Sequence, residues 1–263
     1  MKRAIVMALG VILALVVAAP LSSAQSASQA NANQNPRVFP PATGKYASLS
    51  AQWWQQWAFS IPAPDNPLTD AVDPTGTKCA TGQSGHVWFL GSQVGESSNL
   101  PPEGFTVDRV CNVPPGTKLF FPIINVECSE PIPGPLPRHE LNCEDTFAEN
   151  SQIAQNFLNE ALQGSTLNAS VDGVQSRNLN PRNTPYHVAS PPFTFDLLTN
   201  SINTFCGPMG TVQCGPATDV GAAADGVYLL LAPLPKGQHE ILFGGSFFNG
   251  GFIMNNRYII NVQ

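Results

Sequence analysis

Charge is scarce in this chain. Only 11% of its 263 residues are Asp, Glu, Lys or Arg, and 12 basic residues stand against 18 acidic ones. No cluster of positive charge is present. That excludes a nucleic-acid partner, because neutralising phosphates requires grouped Lys and Arg. Several catalytic signatures are missing as well. Gly82-Gln-Ser-Gly85 is one residue short of the Gly-x-Ser-x-Gly elbow, and His139-Glu140 lacks the second His of a zinc-protease helix. Asp65, Asp70 and Asp73 are spread along a loop without the order that wraps calcium, and no cysteine spacing resembles a zinc knuckle. Neither a metal nor a cofactor is expected.

Turn chemistry, by contrast, is abundant, with 25 Pro and 22 Gly. Such a composition suits a loop-rich β protein. The chain opens with Lys2-Arg3, an apolar run from Ala4 to Ala19 and the small residues Ser22-Ser23-Ala24. This is the pattern of a secretory signal over 1–24, which predicts a secreted or periplasmic protein with no stable membrane insertion after cleavage. Residues 25–41 are mostly Ala, Ser, Gln, Asn and Pro and read as a flexible leader. The remainder, 42–263, reads as a single disulfide-stabilised domain. Its six cysteines, an even number behind a signal, imply three bonds. Several connectivities are possible, and pairing of sequence neighbours is the one expected: Cys79–Cys111, Cys128–Cys143 and Cys206–Cys214, each worth about 2–4 kcal/mol.

The densest core signal is Lys118 to Cys128, preceded by a Pro114-Pro115-Gly116 turn. It reads as a strand buried on both faces. Simple alternation places Asn125 and Glu127 on one face with Phe121 and Ile123, where a carboxylate needs a partner. Further strands are predicted over 86–90, 105–113, 166–171, 174–179 and 193–198, with Asp172-Gly173 as a hairpin turn. Residues 227–234, 239–243 and 257–262 read as a three-strand meander, and Phe247-Phe248 between paired glycines as a mobile aromatic loop that covers a site or touches a membrane surface. One helix is expected from Ser48 to about Phe59 and another over 145–163. The predicted fold class is therefore all-β, a β-sandwich or jelly roll, with two accessory helices.

Two groups of residues carry candidate chemistry. Trp53, Trp54 and Trp57 either plug one end of the β core or offer a platform on which a sugar ring stacks; with Asn125 they form the candidate ligand-binding set. The Pro-rich span between Cys128 and Cys143 gathers Glu127, Glu130, His139, Glu140, Glu144 and Asp145 within nineteen positions. Glu127 as base or nucleophile, with Glu140 or His139 as acid, would serve hydrolysis or elimination on a saccharide or ester. The primary expectation is a binding or structural module for a glycan or small molecule, with the hydrolase or lyase as the alternative. Arg177, Arg182 and His187 read as a polar surface loop.

Tyr46-x-x-x-Ser50-x-x-Trp53-Trp54-x-x-Trp57, the run from Gly82 to Leu90, Phe120-Phe-Pro-Ile-Ile-Asn125 and the Gly226 to His239 segment together resemble a family of secreted bacterial proteins of uncharacterised activity. The likeness covers most of the mature chain and implies extracytoplasmic location, but supplies no catalytic residue. Pro-Leu-Pro-Lys-Gly-Gln-His before a strand is also similar to the penultimate hairpin of Ig-like and other β-sandwich domains.

Overall fold

A computed structural model of the chain describes residues 37–93, 104–130, 143–144, 146–198 and 216–263. Its strands are β1 Val72–Asp73, β2 Val87–Phe89, β3 Phe105–Val113, β4 Lys118–Ser129, β5 Thr166–Val171, β6 Val174–Gln175, β7 His187–Ala189, β8 Phe193–Leu197, β9 Ala217–Leu231, β10 Gly237–Phe247 and β11 Phe252–Val262. The helices are α1 Pro41–Gly44, α2 Tyr46–Gln52 and α3 Phe147–Ala161. One sheet has the order β1-β3-β11-β10-β5-β6; the other runs β2-β4-β9-β7, with β8 also paired to β9. Both are mixed, since β3 lies parallel to β1 and β11, and β2 parallel to β4. The all-β sandwich class follows from these two sheets.

β4 and β9 form the centre of the second sheet. They are apolar along both faces, so each needs cover on two sides. On the inner side Phe121 meets Phe243 of β10 with ring centroids 4.5 Å apart, joining the two sheets. On the outer side Phe120 stacks on Tyr228 and meets the edge of Tyr46, which belongs to α2. A third, aromatic layer thus covers the outside of the β4–β9 sheet. α3 packs against β4 and β9 through Ala154, Leu158 and Ala161, spaced at helical intervals. Thr146 caps it by accepting from the Glu149 N–H, and Gly164 follows its end at φ 58.

Three expectations are corrected. The C-terminal meander does not form. β10 and β11 pair as a hairpin, but β9 pairs with β4, so Pro235-Lys-Gly237 crosses from one sheet to the other. A strand apolar on both faces gains more in the centre of the covered sheet than beside β10. The aromatic loop is also different: Gly244 and Gly245 lie within β10, where a Cβ would strike the backbone of Met254 and Thr166, and Phe247 is fully buried. Finally, the chain joins the fold before residue 42. Val38 bridges Leu231, Phe39 N–H donates to Leu230 O and Ala232 N–H to Arg37 O.

Cys79–Cys111 and Cys128–Cys143 are bonded as expected, which fits an oxidising compartment. Cys206 and Cys214, the signal over 1–24, His139 and Glu140 lie outside the described residues. Among the described residues no helix is long and apolar enough to cross a membrane.

Candidate functional site

The tryptophan helix begins at Tyr46, after Lys45 in a left-handed conformation, and not at Ser48. α2 passes into a wider turn over Trp53–Ala58, closed where Phe59 N–H donates to Trp54 O five residues back. Such an inserted turn re-aims the side chains that follow it. Trp53, Trp54 and Trp57 are 2%, 6% and 1% exposed, so they are no surface platform; they build the buried aromatic layer. Trp53 Nε1–H donates to Leu90 O at 2.9 Å, and Trp57 Nε1–H to Thr81 O at 3.2 Å. Gln83 holds that receiving loop, bonding Phe89 through both its amide groups. Trp54 differs, because its Nε1–H is buried without a partner among the described residues.

The face beneath Trp54 departs from simple alternation. A β-bulge between Pro122 and Ile124 inserts one residue into β4, since Pro122 pairs with Tyr228 and Ile124 with Val227. One extra residue reverses the phase of every side chain after it. Asn125, Glu127 and Ser129 therefore share the outer, helix-covered face with Phe120 and Tyr228. The expected company of Phe121 and Ile123 is corrected on this ground. Opposite the three polar residues, β9 presents only Gly226, Ala224 and Ala222. Gly226 has its own purpose: a Cβ there would lie 2.6 Å from the Tyr228 ring and 2.8 Å from Asn125 Cβ. Its absence lets the Tyr228 ring lie along β9 toward Asn125.

Five side chains on this face or above it hold buried polar atoms with no hydrogen-bond partner among the described residues: Trp54 Nε1, Asn125 Nδ2, both Glu127 carboxyl oxygens, Ser129 Oγ and the Tyr228 hydroxyl. The remaining atoms of this kind belong to Ser92, Ser176 and Asn256 on other segments. Buried polar groups are nearly always paired, and each unmet one costs about 1–3 kcal/mol. Glu127 is 1% exposed. Burial pushes its carboxyl well above the ordinary range, and the Ser129 hydroxyl, close by but short of hydrogen-bond geometry, lowers it only in part. Burial likewise raises the Tyr228 phenol, with Asn125 and Trp54 close enough to oppose the shift slightly without reaching hydrogen-bond geometry. Asn125 alone of the five is partly exposed, which places the set's contact with solvent at that residue, within β4.

The carboxyl pair imagined for the loop after β4 is not assembled from the described residues. Glu130 faces the other way, its carboxyl occupying the space beside Gly221 and accepting the Gly221 N–H at 3.2 Å. Glu144 is tied through its backbone to Asn150. The Asp73 carboxyl, pushed up by burial, is held below its usual range by bonds from Thr75, Lys78 and Gly76, and it folds its own loop.

Two polar arrangements escape sequence reasoning. His187 Nε2 lies 2.9 Å from Oδ2 of buried Asp225, whose Oδ1 accepts the Gly226 N–H, a pair that ties β7 to β9 on the inner face. Arg109, 2% exposed, donates to Asp70 O, Gly91 O and the Tyr258 hydroxyl and lies over the Tyr258 ring. Both are complete within the protein, and only partners far apart in sequence give them meaning. Comparison with protein-family models, with curated proteins and with solved structures finds no match to this chain.

Proposed function

We propose that this protein is a secreted or periplasmic binding module for a small molecule or glycan unit, held between the tryptophan helix and the β4–β9 sheet. Asn125, Glu127, Ser129, Tyr228 and Trp54 contact the ligand, and Trp53 and Trp57 fix Trp54 in place. One observation carries this: five side chains bring unpartnered buried polar atoms to one face, opposite β9 residues with little or no side chain. A ligand that satisfies them recovers the free energy those atoms forgo in its absence. The test is a thermal-shift and calorimetric screen of the oxidised mature protein against sugars, polyols and small esters, with Asn125→Ala and Tyr228→Phe alongside. Saturable binding by wild type that weakens in both variants supports the proposal; equal binding in all three proteins removes it from this face.

A second activity is favoured by one feature. Burial raises the Glu127 carboxyl well above its ordinary range, the direction that acid–base chemistry uses, so Glu127 suits hydrolysis or elimination on a saccharide or ester. Turnover of the same panel, lost in Glu127→Gln at unchanged melting temperature, would make the protein an enzyme.

A further inference from the structure

The five unpartnered groups form an inventory that a ligand must answer. Trp54 Nε1 and Asn125 Nδ2 can only donate. The Ser129 and Tyr228 hydroxyls can donate or accept. Glu127 accepts as a carboxylate, and both donates and accepts as an acid. No Lys or Arg is paired with Glu127 among the described residues, where the ion pairs all lie on other parts of the molecule.

Resting on the binding role above, we propose that the ligand is an uncharged polyhydroxyl compound, a sugar or polyol, and not an organic cation or anion. An ammonium brings donors alone. It would satisfy Glu127 yet leave Trp54 and Asn125 facing it with donors of their own. An anion brings acceptors alone, and would be buried beside Glu127 with no cation to compensate it. A hydroxyl group donates and accepts at once, so a row of them can meet every member of the set. The surroundings agree. Opposite Glu127 and Ser129, β9 carries only the methyl groups of Ala224 and Ala222, and the buried Trp54 and Tyr228 rings supply apolar surface of the kind that packs on the C–H faces of a sugar or polyol. Burial, which raises the Glu127 carboxyl well above its ordinary range, disfavours a net charge on this face.

The experiment is calorimetry on the whole oxidised protein, using glucose, N-acetylglucosamine and myo-inositol as neutral probes and methylammonium and glucuronate as charged ones, from acidic to alkaline pH. Wild type should bind a neutral probe, with affinity falling at least about tenfold, or about 1.4 kcal/mol, as pH rises through the titration of Glu127. Glu127→Gln, which carries one donor and one acceptor in place of the acid, should flatten that pH profile, and Glu127→Ala should weaken binding at every pH. Methylammonium binding that strengthens with pH and disappears in Glu127→Gln would overturn the neutral class while leaving the binding site in place. Preference for glucuronate over glucose would overturn it equally. Absence of binding by every probe would remove both the ligand class and the binding role.

Discussion

Replacing Glu127 by methionine removes two buried carboxyl oxygens that have no partner among the described residues and keeps an unbranched, flexible side chain of similar reach. If Glu127 is present for a ligand, the free protein should become more stable. An unmet buried polar group costs about 1–3 kcal/mol, and keeping the carboxyl neutral adds about 1.4 kcal/mol for each pH unit above its ordinary value, up to the folded pKa. Overpacking against the same-face neighbours Asn125 and Ser129 returns some of this, on the order of 1 kcal/mol. The net gain expected is about 1–3 kcal/mol, and at about 2–4 °C per kcal/mol for a domain of this size the melting temperature should rise by roughly 2–12 °C. Differential scanning calorimetry on the oxidised protein measures it, with the ligand screen run on the same sample. A more stable protein that binds nothing is the signature of a site residue whose function is maintained against stability. A fall of several degrees would refute the reasoning, because it would mean that Glu127 has a structural partner and that its removal leaves that partner unmet.

Linkage gives a second expectation. The Glu127 carboxyl holds its proton more tightly in the folded protein than in the unfolded chain, so its contribution is intact below the ordinary Glu value of about 4.3 and is lost as pH rises through the folded pKa. Wild-type stability should therefore carry a declining component over that window that Glu127→Gln lacks, measurable by urea unfolding at a series of pH values. Gly226→Ala places a methyl 2.6 Å from the Tyr228 ring and should destabilise by about 1–3 kcal/mol, with a changed near-ultraviolet circular dichroism signal as the ring is displaced. Removing Cys128–Cys143, which spans 15 residues, should cost about 3 kcal/mol, and removing Cys79–Cys111, which spans 32, about 4 kcal/mol. Paired Cys→Ala variants in urea would show that order, and a reversed order would show that the loops are restrained by something besides their disulfides.

Much of the fold is legible because its signals are local. The strand over 105–113 follows the pattern of alternating burial, the Asp172-Gly173 turn has both residues at positive φ, and α3 carries its cap and its apolar stripe within eighteen residues. The polarity of the β4 strand and the presence of Asn125 and Glu127 within it are equally plain. Their orientation is not, because the bulge after Pro122 is set by pairing with β9, roughly a hundred residues away, and nothing in Phe-Phe-Pro-Ile-Ile-Asn specifies which residue is extra. The same distance hides the sheet to which β9 belongs, since the short link at Pro235-Lys-Gly237 serves a hairpin and a crossing between sheets equally well. Trp54 is distinguished from Trp53 and Trp57, which share the inserted turn with it, only by what surrounds each indole, and composition does not record that. Residues read as a surface loop, His187 among them, gain their roles from Asp225 and other partners brought near by folding alone.

The most direct measurement is a two-dimensional proton–nitrogen spectrum of the tryptophan side chains during titration with a neutral sugar. Four tryptophans give four indole N–H signals, and Trp54→Phe identifies the one at the site. The Trp54 signal alone should move saturably, since Trp53 and Trp57 already donate to Leu90 O and Thr81 O. If Trp54 stays still while another indole moves, the ligand sits elsewhere; if all four stay still across the panel, this face of the protein is not a binding site.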